Sequence, residues 1–101
     1  AELIYEFGPI KIDNEKHQIF INDKEIFFPK KEYELLKLLI AHKGKILSRK
    51  IILNEIWGND IYVVERTIDV HIRKIREKLG KYDYLLETIK GVGYKLRDKI
   101  D

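Results

Sequence analysis

The chain has 101 residues, of which 45% are hydrophobic and 37% charged, with a formal net charge of +3 and no cysteine. This length and composition predict one domain with a single small core, and the lack of cysteine excludes a disulfide framework and a thiolate metal site. The longest apolar run, residues 35–41, is interrupted by Lys37 and is far too short to cross a membrane. Because no signal-peptide pattern is present at the N-terminus, we expect a cytoplasmic protein without membrane association.

Positive charge is concentrated in the C-terminal third of the chain. Residues 1–64 contain ten basic and ten acidic side chains, whereas residues 65–97 contain nine basic and five acidic ones. A local excess of this size favours an anionic partner, although a solvated helix face has the same signature.

The first quarter of the chain consists of short β-rich runs separated by turn signals. Apolar residues alternate at Ile10 and Ile12, at Ile19 and Ile21, and at Ile26 and Phe28. The turn signals between the runs are Gly8-Pro9, Asp13-Asn14 and Asn22-Asp23. This pattern predicts a four-stranded antiparallel meander over residues 1–28.

Two helices are predicted after the meander. In the first, Tyr33, Leu36 and Ile40 form an apolar stripe, Pro29 lies near the first turn, and the last turn holds Lys43. After a brief extended link at residues 46–47, a second helix begins at Ser48, a residue type favoured at the N-cap. Its apolar residues are Ile52, Leu53, Ile56 and Trp57, and it stops at Gly58-Asn59-Asp60.

The third predicted helix, residues 65–79, has two distinct faces. One face repeats apolar residues at helical spacing: Ile68, Ile72, Ile75 and Leu79. The opposite face carries Arg66, Val70, Arg73 and Glu77, flanked by Thr67 and Lys74. The first face indicates packing on a core, and Gly80 marks the end of the helix.

The chain finishes with two β runs, Tyr84 to Ile89 and Tyr94 to Arg97, joined at residues 90–93. The two glycines in this junction permit a tight hairpin turn. A meander (1–28), three helices (29–80) and a hairpin (84–97) together predict an α+β fold with the layout of a winged helix-turn-helix. In that layout the last helix enters the major groove of DNA and the hairpin forms the wing.

Several residues fit DNA chemistry on their own. Val70 suits contact with a thymine methyl group, and the Arg and Lys side chains beside it reach guanine acceptors or phosphates. Lys90 at the hairpin tip suits the negative potential of a minor groove, and Arg49 in the second helix is expected near a backbone phosphate. Trp57 is expected mainly in the core, with its indole N–H still able to reach a phosphate.

At these residues the chain resembles the DNA-binding effector domain of OmpR/PhoB-family response regulators, a winged-helix family of two-component regulatory systems. The resemblance covers most of the chain, in the family's order. It is carried by the motifs PKKEYELLKLL (29–39), SRKIILNEIWG (48–58), ERTIDVHIRKIREKL (65–79) and IKGVGYKL (89–96). One departure is Pro29, because the family usually has Ser or Thr there, so Glu32 lacks a capping-box partner. A second is Lys90, where arginine is more frequent.

The resemblance implies a function of sequence-specific DNA binding and transcription regulation, with a role for each matching position. Phosphate contacts are implied for Arg66, Thr67, His71, Arg73 and Trp57, and base-edge contacts for Val70 and Lys74. Wing contacts with the backbone or minor groove are implied for Thr88, Lys90 and Tyr94. The loop that often contacts RNA polymerase in this family matches Gly58, Asn59, Asp60, Ile61, Tyr62, Val63 and Val64.

The resemblance also implies partners. If the chain is a fragment of a longer regulator, an N-terminal receiver domain in cis is expected, and its phosphorylation favours dimers on direct-repeat promoter sites in double-stranded DNA. An isolated domain of this type is expected to be monomeric away from DNA.

The sequence also bears on two other classes of function. Catalysis is not expected, because the three histidines are far apart in the sequence and no hydrolase, metalloprotease or phosphate-loop motif is present. No cofactor or metal is expected either. The stronger alternative is a protein-interaction module, in which the positive face of the third helix meets an acidic partner.

Overall fold

A computed structural model describes residues 3–58, 60 and 62–100 of the chain. The strands are β1 (Ile4–Phe7), β2 (Ile10–Asp13), β3 (Gln18–Ile21), β4 (Lys24–Glu25), β5 (Leu47–Ser48), β6 (Leu86–Ile89) and β7 (Gly93–Leu96). The helices are α1 (Lys30–Ala41), α2 (Arg49–Trp57) and α3 (Glu65–Leu79), and a 3-10 helix covers Gly80–Leu85. This is the predicted α+β fold with three helices and antiparallel sheets, the arrangement of a winged helix-turn-helix.

The N-terminal sheet has the strand order β1-β2-β3-β4 with antiparallel neighbours. Ile10 pairs with Ile21 and Ile12 with Ile19, so alternate residues of two strands form one buried apolar face. The fourth strand differs from the prediction, because it contains only two residues and precedes Ile26. The pairing continues by one bond, since the backbone N–H of Ile26 donates to the Ile19 carbonyl at 3.0 Å.

The core unites the buried face of this sheet with apolar stripes from all three helices. In α3 the four residues of the predicted apolar face are between 0% and 2% exposed: Ile68, Ile72, Ile75 and Leu79. Burial of each such side chain contributes about 1.5–3 kcal/mol, so this stripe fixes the rotation of α3 about its axis. The rest of that helix surface is consequently turned away from the core.

Two helix ends match the sequence prediction and one does not. The Ser48 hydroxyl oxygen accepts from the Ile51 backbone N–H at 3.1 Å, which confirms the predicted N-cap of α2. Gly80 adopts a φ of +60° directly after α3. The exception is α1, which ends at Ala41 rather than at Lys43. Within the described ranges 3–58, 60 and 62–100, no helix is both long enough and apolar enough to cross a bilayer.

The C-terminal sheet has three strands in the order β5-β7-β6, one more than the predicted hairpin. Strand β5 consists of Leu47, from the predicted extended link, and Ser48, the predicted N-cap of the second helix; Leu47 pairs with Tyr94 and Ser48 with Gly93. The first strand of the hairpin, β6, begins at Leu86 rather than at the predicted Tyr84, because residues 80–85 form the 3-10 helix. The wing, defined as β6, β7 and their connecting turn, is therefore attached to the start of α2.

Candidate nucleic-acid interface

The face of α3 opposite the core is rich in cations. Arg66, Arg73 and Lys74 are exposed, and Glu77 is exposed on the same side. Val70 is half-buried between them, so its aliphatic group is only partly available to a partner. The structure thus brings the predicted α3 residues onto one outer surface, as their helical spacing requires.

One flank of this surface contacts the end of α2. The rings of His71 and Trp57 meet edge to face with their centres 5.2 Å apart. His71 Nδ1 lies 2.9 Å from the Thr67 carbonyl oxygen, so Nδ1–H donates within the helix and Nε2 is left for another partner. Trp57 is half-buried and packs against the core, as expected, while part of the side chain stays accessible.

The other flank contacts the start of α2 and the wing through Asp69. Asp69 Oδ1 accepts from Arg49 Nε at 2.7 Å and from the Tyr94 hydroxyl at 2.5 Å. The Arg49 guanidinium also lies 5.7 Å from the centre of the Tyr94 ring. A single carboxylate oxygen therefore joins α2, α3 and β7.

This arrangement changes the acidity of the groups involved. Burial opposes ionisation of Asp69, but hydrogen bonds from Tyr94 and Arg49 and the charges of Arg49 and Arg66 outweigh it and lower the pKa of that carboxyl. Burial, together with the bond to Asp69, raises the pKa of the Tyr94 hydroxyl. The bond to Asp69 also raises the pKa of Arg49. At neutral pH the network is therefore an ion pair with a neutral phenol donor.

A second contact between α3 and the wing is made by Arg76. Its Nε and Nη2 donate to the Leu86 carbonyl at 3.0 and 2.7 Å, and Nη2 also donates to Thr88 Oγ1 at 2.7 Å. The Arg76 guanidinium lies 5.8 Å from the Tyr94 ring centre. Because Thr88 Oγ1 accepts from Arg76, its own O–H remains available for an outside acceptor.

The wing turn extends away from these contacts. Lys90, Gly91 and Val92 are all exposed, and Val92 N–H donates to the Ile89 carbonyl at 2.9 Å to close the turn. Gly91 has a φ of +77°, a conformation that glycine adopts without strain. Lys90 is thus at the predicted hairpin tip.

Tyr94 is placed differently from the expectation. Only 4% of the residue is exposed, and its hydroxyl donates to Asp69. Its ring has almost no surface left for an outside partner, so its geometry favours a role in holding the wing against α3 over direct contact with DNA.

The loop between α2 and α3 is largely accessible in its described part. Tyr62 is 89% exposed and Val64 60% exposed. Gly58 and Asp60 are exposed and Val63 is half-buried, and Asp60 Oδ1 accepts from the Tyr62 N–H at 3.0 Å. Asn59 and Ile61, which belong to the same predicted loop, lie outside the described residues.

Sequence reasoning missed Asp69 and Arg76 as parts of this surface. A signal existed for Asp69, because an acidic residue on a face expected to meet phosphates needs a cationic partner to offset repulsion. Arg76 carried no such signal, since its acceptors are in β6. Among the described residues no group of three His, Asp or Glu side chains is placed to hold a metal ion.

Comparisons with known proteins agree with this geometry. A family model described as transcriptional regulatory protein, C terminal, matches residues 23–96. The chain is 36% identical over 100 residues to the phosphate regulon transcriptional regulatory protein PhoB of Pseudomonas aeruginosa, covering 98% of this chain and 44% of PhoB. The structure of the Thermotoga maritima response regulator DrrB, an OmpR/PhoB homologue, matches with a TM-score of 0.85 and 33% identity, covering 96% of this chain and 45% of DrrB.

A further match is the DNA-binding domain of the response regulator AdeR, solved in complex with an intercistronic region. Its TM-score is 0.81 at 27% identity, covering 92% of this chain and 97% of that domain. The chain spans less than half the length of PhoB and DrrB but nearly all of the isolated AdeR domain. The chain therefore belongs to the OmpR/PhoB family of response regulators as a C-terminal, DNA-binding domain, the part of these proteins that regulates transcription.

Proposed function

We propose that this domain binds double-stranded DNA with the outer face of α3 in the major groove and the wing at an adjacent minor groove. The observation that carries the proposal is the rotation of α3, whose apolar stripe is almost fully buried while Arg66, Arg73 and Lys74 are exposed. An α-helix fits the major groove, and exposed cations on it reach phosphates and guanine acceptors. The AdeR DNA-binding domain, solved in complex with an intercistronic region, supports DNA binding by a domain of this fold.

We assign phosphate contacts to Arg66, Thr67, His71, Arg73 and Trp57. His71 Nε2, which takes no part in the bond to Thr67, and the half-buried Trp57 side chain support this assignment on one flank of α3. On the other flank, Arg49 is already ion-paired with Asp69 through Nε, so its Nη groups are the donors that would meet a phosphate. Phosphate contacts fix register and orientation rather than sequence preference.

Base reading is assigned to Val70 and Lys74. The half-buried Val70 suits contact with a thymine methyl group because both groups are apolar. The exposed Lys74 suits guanine O6 or N7. In the wing, Thr88 keeps its O–H for a phosphate oxygen, and Lys90 is available to a minor groove. Tyr94 is assigned an indirect role through Asp69.

The test is the salt dependence of binding to a fluorescein-labelled duplex, measured by anisotropy. The logarithm of the affinity should fall linearly with the logarithm of salt concentration, with a slope of about 0.9 for each phosphate contact. A flat response, or no binding at low salt, would contradict DNA binding and favour an acidic protein partner. Because it removes one phosphate contact, Arg73→Ala should reduce the magnitude of the slope by about 0.9.

We also propose that the loop over residues 58–64 contacts RNA polymerase. Its support is the exposure of two apolar side chains two residues apart in the chain, Tyr62 at 89% and Val64 at 60%, since exposed apolar surface is available to a protein partner. Tyr62→Ala should weaken binding to purified polymerase while leaving the duplex affinity unchanged. Equal polymerase binding by the unmodified domain and by Tyr62→Ala would contradict the proposal.

For the whole regulator we infer a receiver domain in cis and action in the cytoplasm. The support for the receiver domain is that the chain covers 44% of PhoB and 45% of DrrB. We infer that the isolated domain is monomeric and pairs on direct-repeat sites, and that it has no catalytic activity. Sedimentation of the domain alone, and with duplexes carrying one or two half-sites, tests the pairing.

A further inference from the structure

Asp69 is an anion on a surface that, apart from Glu77, offers cations. It lies on α3 between Arg66 and Val70 in sequence, and its side chain is 38% exposed. An unpaired carboxylate at this position would repel phosphates. Its placement is instead explained by its partners, which come from two other elements of the proposed interface.

Both partners of Asp69 donate to the same carboxylate oxygen. Asp69 Oδ1 accepts from Nε of Arg49 at the start of α2, and from the hydroxyl of Tyr94 in the wing. The Tyr94 ring is buried, whereas the Arg49 side chain remains 35% exposed. The carboxylate thus fixes one half-buried cation and one buried strand residue relative to α3.

We propose that Asp69 is a positioning residue for DNA binding, which sets Arg49 and the wing against α3 before DNA arrives. This inference rests on the proposed function. An arginine side chain loses much conformational freedom when it binds a phosphate, and holding it in place beforehand removes part of that loss from the binding free energy. The wing is held in the same way, because Tyr94 is on β7 and Asp69 is on the helix that enters the groove.

The direction in which substitution of Asp69 changes the affinity for DNA separates a positioning role from a purely electrostatic one. If Asp69 contributed only its negative charge, its removal would strengthen binding to DNA, since one source of repulsion disappears. If it positions Arg49 and Tyr94, removal weakens binding. Asp69→Asn is the suitable variant, because asparagine keeps the size and one acceptor oxygen but loses the charge that strengthens both hydrogen bonds.

The matched control is Asp83→Asn. Asp83 is exposed in the 3-10 helix, outside the network and outside the residues assigned to DNA. Both variants make the same chemical change and remove one negative charge. The probe is a duplex selected from a random pool for tight binding. We expect Asp83→Asn to bind this selected duplex as tightly as the unmodified domain or slightly tighter. We expect Asp69→Asn to bind it about five- to tenfold weaker, as for a weakened charge-assisted bond.

Three further measurements separate positioning from loss of folding. In the NMR spectrum of the free domain, the Arg49 Nε–H signal should be resolved and slow to exchange, and Asp69→Asn should remove this protection while the backbone spectrum remains folded. Tyr94→Phe keeps the buried ring and removes only the donated O–H, so it should also weaken DNA binding, by about twofold. Arg49→Ala combined with Asp69→Asn should cost less than the product of the two separate losses.

The outcomes are distinct. If the unmodified domain does not bind duplex DNA at low salt, the proposed function fails. If it binds, but Asp69→Asn binds equally well or more tightly, the positioning role is wrong and the proposed function stands. The positioning role would also be overturned by independent effects of Arg49→Ala and Asp69→Asn, or by an Arg49 Nε–H signal that Asp69→Asn leaves unchanged.

Discussion

Lys78 in the last turn of α3 donates to the carboxylate of Glu32 in the first turn of α1. Glu32 is 3% exposed and is the only buried charged residue in the described part of the chain. Lys78 Nζ also lies 5.1 Å from the centre of the Phe28 ring. Pro29 offers no side chain to pair with Glu32 in a capping box. Glu32 instead joins α1 to α3 by binding Lys78, which lies 46 residues further along the chain.

Replacement of Lys78 by methionine should destabilise the domain by about 3 kcal/mol, because the Glu32 carboxylate would be left buried without its counter-ion. The free energy of unfolding in urea measures this change. The control Lys50→Met removes an exposed lysine from α2 and should alter stability by less than about 0.5 kcal/mol. The double variant Glu32→Met, Lys78→Met should recover much of the loss. Equal stability of Lys78→Met and Lys50→Met would show that the ion pair does not support the fold.

Gly93 is required by the close approach of β5 and β7. A Cβ atom at this residue would lie 2.1 Å from the Leu47 carbonyl oxygen and 2.8 Å from the Ser48 Cα, both backbone atoms. Gly93→Ala should therefore separate the strands and cost about 3 kcal/mol of unfolding free energy. Gly91→Ala is the control, because nothing lies within 4 Å of its Cβ position and only the strain of a φ of +77° applies, which costs about 1 kcal/mol. Equal losses would contradict the steric argument.

The features that could be predicted from sequence are those set by neighbouring residues. The two faces of α3 follow from helical periodicity, and the N-cap at Ser48 follows from side-chain chemistry within one turn. Both are present in the structure. The same local rules failed at residues 84–85, where aromatic and apolar residues typical of a strand form the end of a 3-10 helix.

The features that could not be predicted join residues far apart in the chain. Arg49 and Asp69 are 20 residues apart, Asp69 and Tyr94 are 25 apart, and neither pair leaves a periodic pattern. The burial of Tyr94 depends on β7 being the central strand of its sheet, which follows from the pairing of β5. For the same reason, the exposed residues of α3 could be identified in advance, whereas the contacts that hold Arg49 and the wing could not.

Asp69 should make stability depend on pH in a defined direction. Its folded pKa is lowered, with hydrogen bonds and nearby cations outweighing burial, so the stabilisation is present above the ordinary carboxyl pKa. It is lost as the pH falls through the lowered pKa of the folded state. The difference in unfolding free energy between the unmodified domain and Asp69→Asn should therefore exist at neutral pH and disappear in acid. It should be small, because the side chains of Asp69 and Arg49 are 38% and 35% exposed and are screened by solvent. A difference that does not vary with pH would exclude a contribution from the charge.

Lys74 and Arg73 are adjacent in α3, both exposed, and assigned to different parts of DNA. Lys74→Ala should weaken binding to a selected duplex by about 1–3 kcal/mol and leave binding to random duplexes nearly unchanged, because a base contact is lost. Arg73→Ala should weaken both by similar amounts, because phosphates are present in every sequence. Anisotropy titrations with both duplexes measure the two ratios, with Lys24→Ala on the N-terminal sheet as a control that removes an exposed lysine elsewhere. If Lys74→Ala and Arg73→Ala each lower the affinity for selected and random duplexes alike, base reading by Lys74 is excluded and sequence preference must come from Val70 or from DNA shape.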